Sequence, residues 1–149
     1  MNHYLVASNC MCAAKGLAAA VAPNAEENHR HALLMISSQI EDCFDALAVA
    51  IGMKSPSEAL QYALDVAKRD GQSKMNASQL LDEFVSIQLE RAISSLLWLS
   101  IYYFEVNQEM PVAIANAIEE MRTWLLSAQK AVDYLALHMP DGGHTSLAA

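Results

Sequence analysis

Three long segments of this chain carry residues whose spacing alternates between four and three. Between Ala25 and Gly52 the series is Leu33, Ser37, Ile40, Phe44, Leu47 and Ile51, with Ser37 its one polar member. Between Asn76 and Asn107 it is Val85, Leu89, Ala92, Leu96, Leu99 and Tyr103. From Pro111 to His138 it is Ile114, Ile118, Met121, Leu125, Ala128, Val132 and Leu135. Such spacing lays one apolar stripe along an α-helix and fits no strand, whose side chains alternate with period two. At 1.5 Å per residue each segment would run roughly 40 Å as a helix. A shared stripe of this kind predicts shallow crossing angles between neighbours. The expected fold is therefore all-α, an antiparallel bundle of four to five helices, three of them long with heptad-like apolar stripes. One domain is expected over residues 1–139, with a flexible C-terminal tail over 140–149.

Local signals punctuate this pattern. Residues 3–21 read as an Ala-rich first helix, weakened by Gly16. Pro23-Asn24 breaks it, and Asn24 is placed to cap the next helix, with Glu26 and Glu27 favouring the positive end of its dipole. Ser55-Pro56-Ser57-Glu58 reads as a capping box, with Ser55 at the N-cap, Pro56 at N1 and Glu58 at N3. The short helix it opens buries Leu60, Leu64 and Ala67 and stops at Lys68-Arg69 and Gly71. Asn76 and Gln79 form a second capping box before the fourth helix. Pro111 starts the last helix, and Pro140-Asp141-Gly142-Gly143 ends it.

Charge narrows the partners. The chain holds 17 acidic and nine basic side chains among 149 residues, a formal net charge of −8. Such a surface repels phosphate backbones, and Lys68-Arg69 is its one adjacent basic pair, so no nucleic-acid partner is expected. An acidic face suits a protein partner with a basic surface. Cys10, Cys12 and Cys43 make an odd count without framework spacing, which points to free thiols and a cytoplasmic setting. No membrane span is expected, because the most apolar run, Ile93 to Phe104, is too short. Ala20-Val21-Ala22 resembles a signal cleavage site. The residues before it, however, lack the basic start of a signal, and Lys15 interrupts the apolar run.

The search for chemistry gives no catalytic residue, no cofactor and no metal site. Met1-Asn2-His3 and Cys10-Met11-Cys12 hold metal-ligating types, but residues two apart on a helix point roughly 200° away from each other. His29 and His31 diverge in the same way and read as surface imidazoles. Glu26-x-x-His29 is a single copy of a motif that a di-metal bundle needs twice. Glu105 and Glu119 read as solvated charges. Asp82-Glu83 and Glu119-Glu120 are neighbours in sequence and do not converge on a helix. Nucleophile elbows and phosphate-binding glycine loops are absent.

One segment has more apolar surface than its stripe requires. From Leu96 to Phe104 the side chains are apolar in nearly every direction, and Trp98 and Tyr102 lie off the Val85–Tyr103 series. A monomer would expose them, and a contiguous exposed apolar patch marks an interaction surface. The expected interface is Leu96, Leu97, Trp98, Ile101, Tyr102 and Phe104. The expected function is a non-catalytic, self-associating interaction module of the inhibitor, immunity-type or regulatory-adaptor kind, with a metal-binding helical bundle as a third reading.

Lys54-Ser55-Pro56-Ser57-Glu58-Ala59-Leu60 resembles the inter-helix turn of phasins, helical proteins that coat polyester storage granules. Glu83-Phe84-Val85-x-x-Gln88-Leu89-Glu90-x-Ala92 resembles the helix that follows it in that family. In phasins the two sit closer together; here residues 61–79 separate them. The resemblance implies an alternative function, a non-enzymatic coat that binds a hydrophobic granule surface through one helix face.

Overall fold

A computed structural model describes residues 2–67, 75–106 and 112–139. They are all-helical, with five helices packed against one another and no strand among the described residues. Helix α1 spans His3–Val21 and is followed by a single 3-10 turn at Ala22–Asn24. Helix α2 spans Glu27–Ala50, and α3 spans Glu58–Ala67. Helix α4 runs over Ala77–Val106 and contains two π-helical turns, Leu80–Val85 and Tyr102–Val106. Helix α5 spans Val112–Leu137.

The centre is filled by Met11, Leu33, Ile40, Leu47, Leu81, Leu89, Leu96, Ile118, Met121 and Leu125, all fully buried. Burial of such side chains, at about 25 cal/mol per Å2 of apolar area, is the main force holding the helices together. The α4 series from Val85 to Tyr103 is buried throughout. On α5, Ile114 to Val132 are buried and Leu135 packs against the core edge. On α2 the buried face is shifted from the expected one: Ile36, Cys43, Ala46 and Ala50 are buried with Leu33, Ile40 and Leu47, whereas Ser37, Phe44 and Ile51 are only half-buried. The Ala-rich α1 packs extensively against α5 and also against α2. Its inward residues Ala7, Met11, Ala14, Ala18 and Val21 are mostly small, which lets neighbouring backbones approach closely.

Several helix ends differ from the sequence reading. Asn24 does not cap α2; its side-chain amide donates to Ala20 O at 3.3 Å, and Glu26 occupies the N-cap. Helix α3 opens two residues later than expected. Ser57 Oγ, not that of Ser55, accepts from Leu60 N at 3.1 Å, so Pro56 stays outside the helix. A serine at either position satisfies the pattern, and Asp45 decides between them: Ser57 Oγ donates to its Oδ2 at 3.3 Å, and Lys54 pairs with its Oδ1. Ala67, expected in the core, is exposed. The Asn76–Gln79 capping box forms as read, with bonds of 2.8 and 3.0 Å. Helix α2 ends in a Schellman motif. Gly52 N donates to Val49 O and Met53 N to Ala48 O, and Gly52 sits at φ 81°, where a side chain would be strained. The expectations for Lys68-Arg69, Gly71, Pro111 and the 140–149 tail lie outside the described residues.

No membrane span was expected, because the most apolar run, Ile93 to Phe104, is short and follows Glu90-Arg91. By length and composition, His3–Asn24 and Ala77–Val106 both pass as candidate spans. Helix α4 reaches 30 residues because its helical turns continue through both π segments. Both helices also bury a face in the shared core, as core helices of this length do.

Candidate interaction surface

Alternate faces of α4 meet opposite surroundings. Leu96 is 0% exposed and belongs to the core, not to any surface patch. Its neighbours Leu97, Trp98, Ile101 and Phe104 are 40, 72, 37 and 42% exposed. Leu97 and Ile101 are four residues apart and Trp98 and Ile101 three, so they adjoin on the helix surface. Ser94 and Ser95 precede them and are exposed. Four of the six residues expected at an interface therefore form one apolar patch on solvent.

Tyr102 lies elsewhere. It is half-buried, with its ring edge-on to His29 at 4.6 Å and to Tyr103 at 5.2 Å. The π turn at Tyr102–Val106 takes more residues per revolution, so it brings both tyrosines to the α2 side. Tyr103 Oη accepts from Glu26 N at 3.0 Å and bonds His29 Nδ1 at 2.8 Å. The last turn of α4 is thereby fastened to the start of α2. Burial, opposed by the Glu26 N–H bond and aided by the Glu26 charge, pushes the Tyr103 phenol up, so it remains neutral and able to donate. His29 is consequently no surface imidazole, although His31 is exposed. Nothing in the linear spacing of His29 and Tyr103 announces this pair, because 74 residues separate them.

Ser100, on the buried side of α4, fixes α5. Its Oγ donates to Glu119 Oε1 at 2.6 Å, and Arg122 Nε donates to Glu119 Oε2 at 3.2 Å. Glu119 is accordingly a bonded carboxylate, not the freely solvated charge expected. The Ser100 hydroxyl lowers its pKa, and Arg122 adds to this against a partial desolvation. A lowered folded-state pKa contributes stability above the ordinary glutamate range and loses it as pH falls through the folded pKa. Ser100→Ala should move the Glu119 titration, followed by carboxyl-carbon NMR, back up toward the ordinary value. It should also weaken the protein at neutral pH while leaving it little changed in acid. No movement of that titration would remove Ser100 as the cause.

The three thiols are free. Cys10 and Cys43 are buried, which pushes both thiols up, and Cys43 points its Sγ at Val85 O. Cys12 is exposed. An alkylating reagent should modify Cys12 in the folded protein within minutes and leave Cys10 and Cys43 untouched until denaturant is added. Mass spectrometry of the labelled peptides reads this directly; early loss of Cys43 would contradict its burial.

Among the described residues no group of three His, Cys, Asp or Glu converges as a metal site. His3 instead stacks on Tyr134 at 3.8 Å, and His138 stacks on Tyr134 at 4.0 Å. A cleft of about 550 Å3 between α2, α3 and α4 is lined by Asp42, Tyr62, Phe84, Ile87 and Arg91, among others. Burial and the neighbouring Glu41 push the Asp42 carboxyl up. No nucleophile with an adjoining base faces it among the described residues. No protein-family model, no curated protein and no solved structure matches the chain.

Proposed function

We propose that this chain is a non-catalytic, cytoplasmic protein-interaction module that self-associates through the C-terminal half of α4. In this reading the long helices form an antiparallel bundle with heptad-like seams, and its acidic surface receives a basic protein partner, as an inhibitor, immunity-type protein or regulatory adaptor would. One observation carries it: Trp98 stands 72% exposed among Leu97, Ile101 and Phe104 on a helix whose opposite face is already buried. Large aromatic side chains with apolar neighbours are the usual energetic centre of an interface. The patch is on the order of 400 Å2, within the range of the largest patch on a typical monomer, which is often functional.

Sedimentation equilibrium tests the reading. The wild-type chain should show a concentration-dependent dimer at micromolar loading. Trp98→Glu, which places a charge at the patch centre without touching the core, should be monomeric with an unchanged circular dichroism melt. A strictly monomeric wild type removes the self-association.

A phasin-like coat is the second reading. Apolar side chains exposed on α5, Trp124, Leu126, Tyr134 and Leu137, favour it, since they extend the apolar surface beyond α4. It requires the wild-type chain to co-sediment with oil droplets and Trp98→Glu to do so less.

A further inference from the structure

The cleft between α2, α3 and α4 exists because α3 meets the core along one edge only. Leu60 and Leu64, four residues apart, are buried there, and the flank beside them begins with Ala63 and Ala67, which are too small to fill the space toward α4. Further out, Val66 and Tyr62 line the rim and stay 70 and 73% exposed. On the α4 wall Phe84 is buried and Ile87 half-buried. A cavity of about 550 Å3 with such walls has the size and lining that hold a small molecule. Its charges are sorted by end. Cys43 Sγ points at Val85 O across 3.8 Å, so the adjacent Asp42 stands level with the first turns of the α4 wall, where Glu83 also lies. Arg91 comes six residues after Val85, roughly 9 Å further along the axis at 1.5 Å per residue. Two carboxylates therefore occupy one end of the cleft and a guanidinium the other. Asp42 is half-buried, and neither it nor Arg91 makes a hydrogen bond or ion pair among the described residues. Burial, with Glu41 beside it, holds the Asp42 carboxyl up, a shift that a cationic partner would reverse.

We propose that this cleft binds a short apolar peptide, two or three residues long, with both of its ends free. The peptide ammonium meets Asp42, the peptide carboxylate meets Arg91, and its side chains cover Phe84, Ile87, Val66 and Tyr62. Two residues of extended chain span roughly 7 Å and three roughly 10 Å, which matches the separation of the two charges along α4. A single amino acid carries its charges too close together to reach both. A guanidinium takes a carboxylate through two parallel hydrogen bonds, so Arg91 sets the direction of the peptide. The reverse direction would place the peptide carboxylate against Asp42 and Glu83. None of these residues belongs to the Trp98 patch, so the proposal does not depend on self-association.

Calorimetric titration of the full chain with leucyl-phenylalanine tests the site. The dipeptide should bind with a Kd on the order of 0.1 mM, the affinity expected of a ligand of its size. Acetylating its amine or amidating its carboxylate should each weaken binding about tenfold, the loss of one charge-assisted contact. Asp42→Asn should weaken the free dipeptide about tenfold and leave the acetylated one unchanged, because that pair already lacks its ammonium. Arg91→Gln should act in the same way on the free and the amidated dipeptide. Bound dipeptide should also slow amide exchange over residues 58–67, since it ties α3 to α4. Melts by circular dichroism show that each variant is folded. Neither heat nor slowed exchange at the solubility limit of the dipeptide overturns the proposal. So does a doubly blocked dipeptide that binds as tightly as the free one, since the charges then play no part. Equal binding of phenylalanine alone would refute the two-ended span, and free dipeptide binding that neither substitution weakens would place the site elsewhere.

Discussion

Leu96→Ala should lose about 3 kcal/mol of stability, while Leu97→Ala, one residue along the same helix, should lose less than about 1 kcal/mol. Leu96 is fully buried among the core side chains, and Leu97 is 40% exposed. Truncating Leu96 removes transfer free energy and leaves a cavity that the packed helices fill only in part. Truncating Leu97 mainly trims surface. In a chain of this length a loss of 3 kcal/mol lowers the melting temperature by roughly 10 °C. Self-association should separate in the opposite sense, with Leu97→Ala weakening the dimer and Leu96→Ala leaving its affinity nearly unchanged at temperatures where it is folded. Urea unfolding and sedimentation on the same two samples give both values. Equal destabilisation by the two substitutions would mean that α4 is rotated from the orientation described above.

The second large effect is local. Helix α3 has ten residues and turns only Leu60 and Leu64 fully inward. An isolated helix of that length is unstable in water, so these two anchors hold it. Leu60→Ala/Leu64→Ala removes several kcal/mol of burial, more than the docking of one short helix can spare. Amide exchange over residues 58–67 should then become unprotected and proteases should cut there, while α1, α2, α4 and α5 keep their protection. The loop anchor at Asp45, which holds Lys54 and Ser57, should limit the loosening on the N-terminal side. Retained protection over α3 would show that contacts beyond Leu60 and Leu64 suffice. Loss of protection everywhere would show that α3 folds as one unit with the rest.

Much of this molecule could be read from residue spacing. The inward residues of α4 and α5 followed from intervals of four and three, since which side chains share a helix face is a local property of its 3.6-residue turn. The Asn76–Gln79 box was legible for the same reason: both of its bonds lie within four residues. The same intervals were present in α1 at Ala7, Met11, Ala14, Ala18 and Val21, and could have marked it as a core helix. Alanine contributes little to an apolar stripe, so its role as a close-packing surface was easily missed. The exposed Trp98, Leu97, Ile101 and Phe104 were also legible, as apolar residues beyond what one stripe needs.

Sequence alone thus determined that the chain is helical, which residues of α4 and α5 turn inward, and where an apolar excess lies. Tertiary structure decided what distant residues do to one another. Tyr102 left the patch because a π turn and His29, on another helix, draw it to α2. Ser57 displaced Ser55 as the cap because Asp45 lies across the loop. Glu119 became a bonded carboxylate because Ser100 meets it from α4. A hydrogen bond between helices depends on their relative placement, which spacing within one helix does not encode.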